Sequence, residues 1–186
     1  MFHTSYMKAF VEGRVVEMNE SELVKASIDG DRDAFCDLYD LYRVRLYRYA
    51  YYRLSDKEDA EDAVSSCVLS AWEQIGRLRD PEAFPAWIFR IMRGSCARLI
   101  KDQINRKKAV SVEPGTSQDL EMSAILMEAL DTLDEETREM VLLSAVGGLT
   151  GKEIGEMYEM PQGTVRSKLS RSYAAMRKLM EAGNEQ

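Results

Sequence analysis

Between Pro161 and Met180 the chain carries Arg166, Lys168, Arg171, Arg177 and Lys178 and no acidic residue, although the whole sequence has a formal net charge of -7. These residue types suit one kind of chemistry. A guanidinium can hold guanine O6 and N7 with two hydrogen bonds, an ammonium acts as a point charge, and serine or threonine hydroxyls bond phosphate oxygens. The stretch "PQGTVRSKLSR" supplies all of them in succession.

The elements that would position these side chains are legible around them. Val165, Leu169, Met176 and Met180 fall at helical spacing as a buried stripe, which turns Arg166, Ser167, Ser170 and Arg171 outward near the helix start. A basic helical face by itself is usually only solvated surface. Here Gly147 and Gly148 end one helix, Thr150 caps a short one running to about Tyr158 with Ile154 and Met157 inward, and Pro161 or Gln162 begins the next. Two helices joined by three or four residues have helix-turn-helix spacing, and the second then presents its N-terminal half to base edges and phosphates.

Upstream, Phe35, Leu38, Leu41, Tyr42, Leu46, Tyr49 and Ala50 predict an amphipathic helix from Ala34 to Leu54. Ser55, followed by Asp56 and Glu58, reads as the capped start of a second helix that turns Ala60, Ala63, Val64, Cys67, Val68, Ala71, Trp72 and Ile75 inward. After a break at Gly76 to Pro81, a third runs from about Glu82 to Ile104, with Gly94 in its middle at about 1 kcal/mol relative to Ala. "NRKKAVSVEPGTSQ" reads as a linker. Two short helices follow, Leu120 to Leu133 and Glu135 to Val146, the latter capped by Asp134. No strand-like alternation stands out, so the expected fold is all-α, with two small helical domains joined by a flexible linker.

Composition narrows the function. An apolar content of 45% is enough for a core, and 4 Pro with 11 Gly suit helices. Cys36, Cys67 and Cys96 are widely spaced and His3 is the single histidine, which argues against a zinc site or a disulfide frame. Without a Gly-rich phosphate loop or a paired nucleophile and base, an enzyme finds no support, and neither a metal nor a cofactor is implied. Apolar runs fall short of the roughly 18 residues of a membrane span, so no membrane insertion and a cytoplasmic address are expected. Charge is also segregated: Glu113 to Met140 sums to -8 and Pro161 to Met180 to +5. Such patches can neutralise phosphates locally in an acidic protein.

"LTGKEIGEMYEMPQGTVRSKLSRSYAAMRKL" resembles region 4 of the extracytoplasmic-function (ECF) subgroup of bacterial sigma-70 factors. "FCDLYDLYRVRLYRYAYYRLSDKEDAEDAVSSCVLSAWEQIGRLRDPEAFPAWIFRIMR" resembles their region 2. The likeness covers about Glu22 to Met180. It implies an N-terminal extension at 1–19, region 2 at 20–104, a linker at 105–119 and region 4 at 120–182. By this resemblance Asp59, Glu61 and Asp62 dock on the clamp helices of the largest catalytic subunit of core RNA polymerase. Arg166, Ser167, Lys168 and Arg171 enter the minus-35 major groove of promoter DNA, with Gln162 and Thr164 near the backbone. Arg90, Arg93, Arg98 and Lys101 line the groove that captures the minus-10 element. An anti-sigma partner is implied as well.

Trp72, Phe84, Trp87 and Phe89 invite a reading as base-stacking platforms, but at this helical spacing they read as core. Two departures from the family pattern stand out. Ser65 and Ser66 replace the usual Gln and acidic residue, and Gly94 replaces the usual Asn. They motivate an alternative: a sigma-like regulator that binds polymerase or DNA without opening promoters.

Overall fold

The computed structural model describes residues 7–11, 14–107 and 121–183, with side chains described over 18–102 and 126–181. Eight α-helices dominate among the described residues: α1 (Glu20–Ile28), α2 (Arg32–Leu54), α3 (Lys57–Gln74), α4 (Phe84–Lys107), α5 (Glu121–Asp131), α6 (Glu135–Ala145), α7 (Gly151–Tyr158) and α8 (Gln162–Gly183). The expected linker lies largely outside the described residues, although α4 continues to Lys107 at its near end.

The fold is all-α in both domains, as expected, with one addition ahead of the helices. Strands β1 (Met7–Val11) and β2 (Arg14–Met18) pair antiparallel, with Ala9 opposite Val16 and Phe10 opposite Val15. The N-terminal extension at 1–19 therefore carries a strand pair over these residues. Five-residue strands are too short to show a clear alternation in the sequence.

Helix α1 is a second addition. Its signal is a capping box: the Glu22 N–H donates to the Asn19 side chain at 3.0 Å, and the Asn19 N–H donates back to the Glu22 carboxylate at 2.8 Å. The cap between α2 and α3 also shifts by one residue from the sequence expectation. Ser55 closes α2 in the left-handed region (φ 57°), and Asp56 caps α3 by accepting from the Asp59 N–H at 2.9 Å. Serine's hydroxyl would serve the role, but a residue in the left-handed conformation belongs to the end of a helix rather than to the extended start of the next.

Helices α1 to α4 share a core in which Tyr49 meets Phe89 edge-on at 5.6 Å between ring centroids, and Tyr42 meets Phe84 at 5.2 Å. Trp72 packs on Phe35 and Trp87 on Phe84. All four candidate stacking aromatics thus belong to core packing. Helices α5, α6 and α7 each pack on α8 around Leu130, Met140, Leu143, Ile154, Val165 and Leu169.

The α7 to α8 turn depends on a close backbone approach. Met160 N–H donates to the Gly155 carbonyl at 2.8 Å, and a Cβ at Gly155 would lie 2.6 Å from the Met160 carbonyl oxygen. Any side chain there would push the two helices apart. Glu159 makes the turn in the left-handed region (φ 54°), and α8 then begins at Gln162, beside Gly151 and Gly155 of α7.

Candidate nucleic-acid and polymerase interfaces

Thr150 caps α7 through a capping box with Glu153, and Val165, Leu169, Ser172 and Met176 anchor α8 against its neighbours. That burial fixes what the helix presents. Gln162, Thr164, Arg166, Ser167, Ser170 and Arg171 are exposed together on the N-terminal half of α8. Lys168 differs from them. It lies half-buried and donates to Glu136 of α6 at 2.8 Å, on the side of the helix away from Arg166. The basic cluster read from the sequence is thus divided into an outward face and one internal ion pair.

On α3 the buried stripe Ala60, Ala63, Val64, Cys67 and Ala71 sends Glu61, Asp62, Ser65 and Ser66 to the surface. Asp59 sits half-buried in the first turn. The same outer face carries Leu69, 67% exposed and seven residues on from Asp62. An apolar side chain this open, flanked by acids and serines, is a candidate contact that sequence reading passed over. The signal was available, because Leu69 falls outside the helix's apolar period.

On α4, Arg90, Gly94, Arg98 and Lys101 follow one exposed face at three- and four-residue intervals. Arg98 also donates to the Ser95 hydroxyl at 3.4 Å. A Cβ at Gly94 would meet nothing within 4 Å, so packing does not require glycine there. Arg93 is separated from the other three. Its Nε donates to Glu139 of α6 at 3.0 Å, and its guanidinium lies 4.6 Å above the Tyr158 ring of α7.

Glu139 is the centre of that contact. It is 6% exposed and accepts from Tyr49 at 3.1 Å, Arg53 at 3.4 Å and Arg93, and from the Tyr158 hydroxyl. Burial, then the hydrogen bond to Glu139, pushes the Tyr158 phenol well above its usual range, and burial does the same to Tyr49. Both phenols therefore stay protonated and serve as donors. Arg53 also reaches Glu135 at 2.7 Å, Arg45 of α2 donates to the Val146 and Gly147 carbonyls, and Arg138 of α6 donates to the Tyr52 carbonyl at 3.0 Å. The acidic block before the recognition helix is thus spent partly on α2 and α4.

Comparison with known proteins places the chain in a family. Residues 38–106 match the Sigma-70 region 2 model and residues 123–176 match the Sigma-70, region 4 model. The chain belongs to the sigma-70 family. It is a sigma factor of the ECF group, the promoter-recognising subunit of an RNA polymerase. The ECF RNA polymerase sigma factor SigW of Bacillus subtilis is 27% identical, with 88% of this chain and 97% of that protein covered. SigM of Mycobacterium tuberculosis is 28% identical, with coverages of 88% and 86%. Among solved structures, CnrH in complex with the cytosolic domain of CnrY superposes with a TM-score of 0.69 at 22% identity, covering 88% of this chain and 97% of that one. The sigma factor RpoE in complex with the anti-sigma factor NepR, from Bartonella quintana, gives 0.63 at 22% identity, with coverages of 79% and 96%. These two likenesses speak to the fold of the sigma factor. Among its described residues no helix is long and apolar enough to cross a membrane, and no group of metal-ligating side chains is present.

Proposed function

We propose that this sigma factor docks on core RNA polymerase through the α3 face of Asp59, Glu61 and Asp62, with Leu69 as an apolar anchor among them, and reads two promoter elements with its two helical groups. The exposed face of α8 carries the reading. Arg166 and Arg171 contact bases or phosphates in the minus-35 major groove, Ser167 adds a hydroxyl, and Gln162 and Thr164 lie near the backbone at the helix start. Lys168, held by Glu136, contributes mainly through its charge.

At the minus-10 element, Arg90, Arg98 and Lys101 offer a cationic track for the strand captured during opening, and Arg93 joins them only when released from Glu139. The factor itself supplies no catalysis: it orients the polymerase on DNA and works in the cytoplasm. An anti-sigma protein is a further proposed partner, on the likeness to the RpoE complex with NepR.

Transcription with core polymerase and a promoter library tests the proposal. Stimulated, sequence-selective start sites are expected, whereas no core binding and no stimulated starts would sink it. A second reading, a regulator that binds without opening promoters, is favoured by the exposed Ser65, Ser66 and Gly94. Core binding without promoter opening in footprints would select it.

A further inference from the structure

Helix α1 takes no part in the proposed polymerase and DNA faces, yet it packs on a loop that leads into one of them. The loop joins α3 to α4 and contains two short 3-10 turns, Ile75–Arg77 and Pro81–Ala83. Both turns rest against α1, and a Cβ at Gly76 would lie 3.8 Å from the Ile28 carbonyl oxygen. The Leu78 N–H donates to the Ile75 carbonyl at 2.9 Å, and the Ala83 N–H to the Asp80 carbonyl at 3.0 Å. Ile75 is buried and Leu78 half-buried, whereas Arg77 and Arg79 stand exposed on either side of Leu78. Leu78 is extended, so anchoring its side chain turns both guanidinium stems the other way.

Tyr42 of α2 touches both supports of this loop. Its hydroxyl donates to Glu20, the first residue of α1, and its ring meets Phe84, the first residue of α4, edge-on at 5.2 Å. A phenylalanine would fill the same space, so the hydroxyl adds a link that packing does not require. Buried beside a half-buried carboxylate, it ties α1 to α2 with a charge-assisted bond. Burial, followed by that bond, raises the phenol above its usual range and keeps it a donor.

Phe84 opens the helix whose exposed face carries Arg90, Arg98 and Lys101, so the loop stands at the N-terminal end of that cationic track. We propose that Arg77 and Arg79 extend the track by holding phosphates of the captured single strand, and that Tyr42, through Glu20 and Phe84, is the positioning residue that sets the loop for them. Such contacts depend on placement to within about 0.5 Å, which a loop reaches only when its supports are locked. The ligand rests on the promoter reading proposed above, but the brace itself is testable without polymerase or DNA.

Hydrogen exchange of the full chain reads the brace directly. Tyr42→Phe keeps the ring against Phe84 and under the Arg45 guanidinium, 4.8 Å away, and removes only the hydroxyl. Exchange over residues 75–83 should rise about tenfold in this variant, while α3 and α8 keep wild-type protection. Glu20→Ala should do the same, and Glu20→Gln, whose amide oxygen still accepts the bond, should stay within about twofold of wild type. Unchanged exchange in the loop, or acceleration spread evenly over region 2, would overturn the brace.

Open-complex yield with core polymerase reads the consequence. Arg77→Ala combined with Arg79→Ala should lower the yield on a two-element promoter about tenfold, with a duplex carrying only the minus-35 element bound within about twofold of wild type. Tyr42→Phe should lower the yield about threefold in the wild-type chain and have no effect once both arginines are gone, the non-additivity of a residue that acts through them. Losses that multiply would overturn the positioning role, and a full yield without both arginines would overturn their contact with DNA. A wild type that opens no promoter sinks the sigma reading and with it the DNA role of the arginines, while the exchange measurement still decides the brace.

Discussion

Lys168 of the recognition helix donates to Glu136 of α6 at 2.8 Å, so one cation of the basic cluster is committed inside region 4. Its neighbours Arg166 and Arg171 are exposed. Arg171→Ala should weaken binding to the preferred minus-35 duplex by about 1–3 kcal/mol and relax its sequence preference. Lys168→Ala should leave preference intact and lower stability by about 0.5–1 kcal/mol, as expected of a partly exposed pair. Fluorescence anisotropy across a duplex panel, with thermal unfolding of each variant, separates the two. Equal losses on every duplex for Arg171→Ala would make that residue a phosphate clamp.

Leu69 should matter for polymerase and not for folding. Leu69→Ala removes a side chain that is 67% exposed, so thermal stability should stay within about 0.5 kcal/mol of wild type. Core polymerase affinity should fall by about 1–2 kcal/mol if the side chain is an interface anchor. Unchanged affinity in a titration against labelled core would remove Leu69 from the docking face.

Gly94 separates stability from DNA reading. Because a Cβ there meets nothing within 4 Å, Gly94→Ala should stabilise α4 by up to about 1 kcal/mol. Gly94→Asn puts an amide between Arg90 and Arg98, where the family pattern usually carries one. About 1 kcal/mol of new discrimination at the minus-10 element is expected in open-complex yields across promoter variants. No change in selectivity would mean that the element is read elsewhere in this chain.

The three thiols should differ sharply in reactivity. Cys67 and Cys96 are buried, and burial pushes each thiol up to about 12. Both therefore stay protonated and unreactive across the working range, since the thiolate is the nucleophile. Cys36 is exposed. Alkylation of native protein at pH 8 should modify Cys36 alone, and all three after denaturation. Rapid native labelling of Cys67 or Cys96 would show that the helical core opens there.

Acid should weaken region 4 at its caps. The Thr137 N–H, donating at 2.9 Å, holds the Asp134 carboxyl below its ordinary range, and Arg53 does the same for Glu135. For a carboxyl with a depressed folded value, the stabilising contribution is present above the unfolded value and is lost as pH falls through the folded one. Asp134→Ala should destabilise by about 1 kcal/mol at pH 7, and the difference from wild type should shrink as pH falls below the ordinary aspartate range. A difference that is constant with pH in thermal melts would contradict the cap's charge dependence.

The sequence by itself determined the helices with a strong apolar period, the turn before α8 and the face that α8 turns outward, because these depend on neighbours three and four residues apart. Thr150, capping α7 through Glu153, acts within one turn of chain. Helix α1 was equally local, written in the Asn19 and Glu22 capping box, but its short apolar run gave little else to notice. The hairpin needed a partner strand to become stable. Lys168 and Arg93 looked equivalent to the arginines beside them, because nothing in a linear pattern says which cation an acid on another helix will take. Tertiary structure alone brought Glu139 to Arg93, Arg53 and Tyr49 across 46 to 90 residues of chain. The physical reason is that a buried carboxylate selects its partners by the geometry of every element packed around it, and helical period fixes only the side of its own helix on which it stands.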